Sequence, residues 1–240
     1  MQTLTFADLV ATANGGVDLG FVRSRLHAPV AEPWETFSRA PLTEQERADL
    51  AALRRRLSLY TTGRINEATL WARAIYPLLM VAEVDDVRAW SQVPLSVVVR
   101  RSNLRGLAGG DLRLHGVVDG ALAADAAGQP VEPFFLVIEA KRALDAIDPL
   151  PQLQGAMLTL ALRRLEDRPE APCDVYGCFT IGDAWTFLRG RFTLAAADAG
   201  TFDVAADYVP SREFSEHAEA DQIASVLKSV VALQRPAVMV

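Results

Sequence analysis

The chain has 240 residues, of which 50% are hydrophobic and 22% are charged, and its net charge is −6. This composition excludes a disordered or collagen-like protein, and the acidic balance excludes a polybasic nucleic-acid binder of the histone kind. A local basic groove on an acidic body remains open. The first ten residues contain an acidic residue, Asp8, and no basic residue, and the chain has no window of 18 apolar residues without charges. We therefore expect a cytoplasmic protein without a membrane span.

The first 60 residues predict a helical extension. A short helix is expected over residues 6–13, followed by irregular packing. Thr43 and Glu46 then have the spacing of a capping box, which opens a second helix. Asn66 is a good N-cap for a third helix over residues 67–84, which Pro77 should kink or divide.

The pattern then changes from helical to strand-like. Three strands are predicted, and the last of them is a continuous apolar run typical of a central strand. The segments are 94–106, 111–125 and 133–141. A helix is expected from Pro149 to Asp167, then a hairpin that turns at Gly182, and a final amphipathic helix over residues 214–233. This order predicts a single α/β domain in which helices flank a mixed central β-sheet.

Signatures of nucleotide binding and of hydrolase nucleophiles are missing, since the chain has no GxGxxG, Walker A or GxSxG sequence. Its three histidines are far apart and not grouped with cysteines, which disfavours a zinc site or a Cys-His nucleophile. Chemistry must be sought elsewhere.

The informative segment is Ile138-Glu139-Ala140-Lys141. Residues two apart on a strand share a face, so Glu139 and Lys141 point the same way at the end of the apolar run. Asp119 ends the preceding strand region and can approach Glu139 if the two strands pair. Two carboxylates brought together need a cation or a proton between them, and oxygen ligands without His or Cys suit Mg²⁺ or Mn²⁺.

The lysine adds a second signal. The chain has 24 basic residues, of which only Lys141 and Lys228 are lysines. Because almost all basic residues are arginines, a lysine suggests a position that a guanidinium could not fill. Only an ammonium can shift its pKa and act as a base.

The chain presents Glu67 at a helix start, Asp119 on one strand, Glu139-Ala140-Lys141 on the next strand and Gln152 on the following helix. This order resembles the PD-(D/E)XK nuclease superfamily, also called restriction-endonuclease-like, over about residues 60 to 192. The proline of the family's motif name is absent, since Val118 precedes Asp119. The resemblance implies an αβββαβ core, and it divides the single domain into three parts: a helical extension (1–60), the core (61–192) and a C-terminal helical segment (193–240).

The resemblance also implies metal-dependent hydrolysis of phosphodiester bonds in DNA, more often by an endonuclease. In that scheme Asp119, Glu139 and the Ala140 carbonyl hold Mg²⁺ or Mn²⁺, and Glu67 supports this ion or a second one. Lys141 positions or deprotonates the attacking water, and Gln152 or Gln154 corresponds to a frequent helix glutamine of the family. Five arginines are candidates to grip phosphates: Arg100, Arg101, Arg105, Arg113 and Arg142. A solvated, salt-bridged hairpin face explains them equally well.

Two other classes stay open. A domain that keeps this fold without turnover would serve as a DNA-binding or assembly subunit of a defence or repair complex. An unrelated α/β interaction protein would carry the Glu-x-Lys triplet by chance. RNA as substrate is also open, and a homodimer is plausible because two cuts in a duplex need two sites.

Overall fold

An eight-stranded mixed sheet forms the centre of the computed structural model, which describes residues 1–17, 19–59, 66–100, 111–141, 148–196 and 202–235. The strands are β1 (Gln2–Thr5), β2 (Val22–Leu26), β3 (Val87–Val99), β4 (Leu112–Ala126), β5 (Gln129–Lys141), β6 (Cys173–Ile181), β7 (Ala184–Ala196) and β8 (Phe202–Ser215). The helices are α1 (Trp34–Phe37), α2 (Glu44–Leu57), α3 (Glu67–Leu70), α4 (Tyr76–Met80), α5 (Leu150–Asp167) and α6 (Glu216–Gln234). In the sheet the strands follow the order β1-β4-β5-β6-β7-β8-β2, and β3 pairs with β4.

The sheet has an apolar core on each face. The core around α5, called the α5 core, contains Met157, Leu160 and Val137. The core around α2, α4 and α6, called the α6 core, contains Leu227 and Ile138. Val137 and Ile138 are neighbours on β5, so their membership of different cores shows that helices cover both sides of this strand. The continuous apolar run of β5 was correctly predicted to be a central strand.

The predicted elements of the middle of the chain are confirmed. Strands β4 and β5 are antiparallel, α5 crosses from β5 to the parallel strand β6, and β6 and β7 form the predicted hairpin, with Gly182 in its turn at a φ of 64°. Strand β3 begins at Val87, earlier than predicted, and it pairs only with β4 among the described residues, which allows Pro94 to sit within it. Residues 101–110, in the connection between β3 and β4, lie outside the described residues.

Helix α2 and the region of Pro77 also follow the prediction. Thr43 Oγ1 accepts from the Glu46 amide at 3.2 Å and Glu46 Oε2 accepts from the Thr43 amide at 2.7 Å, which is the reciprocal capping box. A π-helical turn (Trp71–Ile75) separates α3 from α4, and Pro77 lies in the first turn of α4. Proline lacks the amide that would continue the regular helical bonding, so the helix changes register there.

The prediction of a purely helical extension over residues 1–60 is wrong. Residues 2–5 and 22–26 are strands, and residues 6–13 contain only a 3₁₀ turn (Phe6–Asp8) in place of a helix. Asp8 Oδ2 accepts from the Thr5 amide at 2.8 Å, which closes this turn locally. The C-terminal segment is likewise only partly helical, since β8 precedes α6.

Two strands share one edge of β4. Strand β1 pairs in parallel with residues 112–115, and β5 pairs antiparallel with residues 120–126. Because their directions oppose, the carboxyl ends of β1 and β5 approach each other along β4, and neither pairs with residues 116–119. This stretch of β4, which pairs with β3 but has no partner among the described strands on its other edge, is called the notch. In the part of the chain that the structure describes, no helix has the length and hydrophobicity needed to cross a membrane.

Candidate functional site

The carboxylate of Asp119 lies at the end of the notch and joins three strands. Its Oδ1 accepts from Gln92 Nε2 on β3 at 3.2 Å, and its Oδ2 accepts from the Ala140 amide on β5 at 2.8 Å. The paired ladder between β4 and β5 ends at Gly120 and Ile138. One step further on, the Asp119 side chain therefore bonds to the β5 main chain where the ladder has stopped.

Glu139 follows directly on β5 and is 5% exposed. Lys141 Nζ donates to Glu139 Oε1 at 2.6 Å. Burial, and then the negative charge of Asp119, raise the pKa of Glu139 to about 7, although the bond from Lys141 opposes them. Burial therefore disfavours the ionised form of Glu139, and the positive charge of Lys141 compensates only in part.

Lys141 is half-buried beside the acids. Burial by itself would lower its pKa, but the hydrogen bond to Glu139 and the surrounding negative charges outweigh burial, so the pKa of Lys141 is raised. The amine is thus protonated at neutral pH. This protonation favours a role in holding negative charge over a role as a general base.

Glu67 reaches the same group from α3. Asn66 Oδ1 accepts from the Thr69 amide at 2.8 Å, which fixes the start of this helix. Glu67 is exposed, and its charge acts on both Glu139 and Lys141, raising the pKa of each. Asp119, Glu139 and Lys141 thus lie together, and Glu67 acts on them through its charge; these four residues are called the acidic cluster here.

A tryptophan holds α3 against β4 beside the acidic cluster. A Cβ atom at Gly120 would lie 2.0 Å from Cη2 of Trp71, so the indole packs directly on the glycine backbone. Trp71 lies four positions after Glu67, on the same face of the helical segment. The absence of a side chain at Gly120 therefore lets the helix approach closely enough to bring Glu67 to the cluster.

No hydrogen bond links Gln152 to the acidic cluster in what the structure describes. It is half-buried in the first turn of α5, and its buried Oε1 atom has no hydrogen-bond partner among the described residues. The neighbouring Gln154 has a structural role, since its Nε2 donates to the Gly15 carbonyl at 2.9 Å.

The candidate arginines are only partly described. Arg113 is exposed on β4, and Arg100 is exposed directly after β3. Val98 pairs with Arg113, so both arginines project from the solvent face of the β3–β4 hairpin, where Val98 and Val117 are also exposed. Arg101, Arg105 and Arg142 lie outside the described residues.

The sequence did not point to Gln92. Its φ of 53° is a left-handed conformation that residues other than glycine rarely adopt within a strand. The odd positions from Val87 to Val99 are apolar except for Ser91, as in an ordinary strand with one polar residue, and nothing in this pattern distinguishes Gln92. No sequence signal therefore marked this residue.

In a comparison with known proteins, no model of a protein family and no curated protein matches the chain. Within the described ranges, no group of three or more His, Cys, Asp or Glu side chains converges as a metal-binding set. Function must therefore be argued from the acidic cluster itself.

The donor chemistry of the cluster fits a divalent cation. Asp119 and Glu139 offer hard carboxylate oxygens, the ligands that Mg²⁺ and Mn²⁺ prefer. Burial is the main cause of the raised pKa of Glu139, and the negative charges of Asp119 and Glu67, which exceed the single positive charge of Lys141, add to it. A cation is the kind of partner that would remove this excess.

Proposed function

We propose that this chain is a metal-dependent nuclease that hydrolyses phosphodiester bonds of DNA, built on a restriction-endonuclease-like core. The observation that carries the proposal is the convergence of Asp119, Glu139 and Lys141 where β4 and β5 separate, with the Ala140 amide bonded to Asp119. The order α3–α4, β3, β4, β5, α5, β6 supports it, because it matches the αβββαβ order of that fold. We also propose that the protein acts on DNA in the cytoplasm.

Each residue has a role in this scheme. Asp119, Glu139 and the Ala140 carbonyl would hold Mg²⁺ or Mn²⁺, with Glu67 as a further acid. When bound, the ion supplies neutralising charge for the phosphate and lowers the pKa of a water. Lys141 carries its proton at Nζ and stabilises the charge that develops on the phosphate oxygens.

The fixed position of Asp119 contributes to this chemistry. Two donors from neighbouring strands hold its oxygens, so the carboxylate is oriented before any ligand arrives. Preorganised groups cost no rearrangement during the reaction, which is why they stabilise a transition state better than mobile ones. Arg100 and Arg113, on the solvent face of the β3–β4 hairpin, would contact the phosphate backbone of a duplex that extends along the hairpin from the cluster.

One observation favours a second candidate function. Both Asp119 oxygens and Glu139 Oε1 already accept hydrogen bonds from the protein. A cluster that is satisfied internally suits a nuclease-like domain without turnover, acting as a DNA-binding or assembly subunit. The two candidates differ in whether a divalent cation binds and whether DNA is cut.

The test is incubation of the purified chain with supercoiled plasmid, single-stranded DNA and RNA, in the presence of Mg²⁺, Mn²⁺ or EDTA. We expect nicked or linear plasmid with either metal and none in EDTA. Asp119→Asn keeps the size of the side chain and should stop cleavage. Intact DNA in every condition, together with a DNA mobility shift, would favour the silent subunit over the nuclease.

A further inference from the structure

Gln92 stands directly across from Asp119. In the register of β3 and β4, Ser91 pairs with Gly120 and Val93 with Val118, so Gln92 faces Asp119 between them. Its Nε2 donates to Asp119 Oδ1 at 3.2 Å.

The two strands exchange faces at this pair. On β3, Val87 belongs to the α6 core, whereas Val93, an even number of positions later, belongs to the α5 core. On β4, Val118 belongs to the α5 core and Leu122 to the α6 core. Residues separated by an even number of positions along a strand should share a face. Both strands therefore rotate by half a turn between these residues. Gln92, with its positive φ, and Asp119 lie in this interval.

The choice of residue at position 92 is informative. Glycine is the residue best suited to a φ of 53°, and glutamine is strained there. If the backbone turn were the only requirement, glycine would serve better. A glutamine at this position makes sense when its side chain is used, and the contact it makes is the one to Asp119.

We propose that Gln92 is a positioning residue that orients the carboxylate of Asp119 for a divalent cation; this inference rests on the proposed function. The Ala140 amide holds Oδ2 from one side and the Gln92 amide group holds Oδ1 from the other. Together the two donors restrict rotation of the carboxylate about its bond to the chain. Partners of this kind, which orient a ligand without touching the metal, typically contribute 10- to 100-fold to affinity.

The test compares two variants that both lose the amide but differ in backbone strain. Gln92→Gly removes the strain, and Gln92→Ala keeps it. Binding of Mn²⁺ is measured from the electron paramagnetic resonance signal of the free ion, and folding is measured by thermal melting in EDTA. We expect both variants to bind Mn²⁺ about tenfold more weakly than the wild type, and we expect Gln92→Gly to melt no lower than the wild type.

Gln45→Ala is the matched control. Gln45 Nε2 donates to Asp49 Oδ1 at 3.0 Å on the exposed face of α2, away from the acidic cluster, so its loss should leave Mn²⁺ affinity unchanged. If the wild type binds Mn²⁺ and Asp119→Asn does not, while both Gln92 variants bind as the wild type does, the positioning role is overturned and the nuclease proposal stands. If the wild type itself binds no Mn²⁺, both are overturned.

Discussion

Lys141 Nζ donates to Glu139 Oε1 at 2.6 Å, across two positions of the same strand. The other lysine makes a similar contact, since Lys228 Nζ donates to Glu46 Oε1 at 2.5 Å. The two side chains are 20% and 21% exposed. They differ in their surroundings: Glu139 has further carboxylates beside it, whereas Glu46 belongs to the capping box of α2. The chain thus contains its own control for the role of Lys141.

Replacing each lysine with methionine removes the ammonium and keeps an unbranched chain of similar length. We expect Lys141→Met to reduce plasmid cleavage by a factor of about 100 or more, because the charge that stabilises the reacting phosphate is lost. Lys228→Met should cut at the wild-type rate. Initial rates on supercoiled plasmid measure both, and equal activity of the two variants would remove Lys141 from the reaction.

Glu139 should make the fold less stable as pH rises. Its pKa is about 7 in the folded state, against an ordinary value of 4.5. Between these two values the folded chain holds a proton that the unfolded chain has released, so the free energy of unfolding falls with rising pH. One pKa unit corresponds to about 1.4 kcal/mol. We expect Glu139→Gln, which resembles the protonated acid, to gain about 3 kcal/mol over the wild type between pH 4.5 and pH 8, as measured by urea denaturation in EDTA.

Glu216 provides the control for that prediction. It is fully buried, its Oε2 accepts from Trp185 Nε1 at 3.2 Å, and burial raises its pKa to about 7 as well. Glu216→Gln should therefore gain stability with pH in the same direction. Only Glu139→Gln should also lose Mn²⁺ binding. A pH-independent difference between Glu139→Gln and the wild type would show that Glu139 is not a buried, proton-holding acid.

The close contact of Gly120 with Trp71 predicts a coupled pair. A methyl group at position 120 would overlap the indole, so we expect Gly120→Ala to lower the free energy of unfolding by about 1–3 kcal/mol. In a Trp71→Leu background the same substitution should cost much less, because the overlap is gone. Urea denaturation of the four proteins gives the coupling energy. Additive effects would mean that the ring does not rest on Gly120.

Sequence patterns predicted the elements that are determined by local sequence, that is, by residues near one another in the chain. The apolar run of β5, the prolines that open α5 and the turn at Gly182 are local signals, and each of these elements is present. Strands β1 and β2 are only four and five residues long, and they pair with residues 112–115 and 204–208, far along the chain. So short a stretch carries little pattern of its own, and its partners become visible only in the fold.

The site divides in the same way. The alternation of the strands and the positions of their ends predicted that Asp119, Glu139 and Lys141 lie close together, and in the structure they do. Gln92 was not predicted, because one polar residue at Ser91 among apolar odd positions indicates neither a positive φ nor an exchange of faces. The rarity of lysine is a weak signal of function, because the other lysine of the chain, Lys228, forms a structural ion pair.

Manganese bound to the protein in crystals tests the central claim most directly. Crystals of the wild type soaked in manganese chloride at pH 8, above the pKa of Glu139, should show anomalous density contacting the carboxylates of Asp119 and Glu139. Crystals of Asp119→Asn treated in the same way should not. Well-ordered wild-type crystals with no anomalous density at these two side chains would contradict the account.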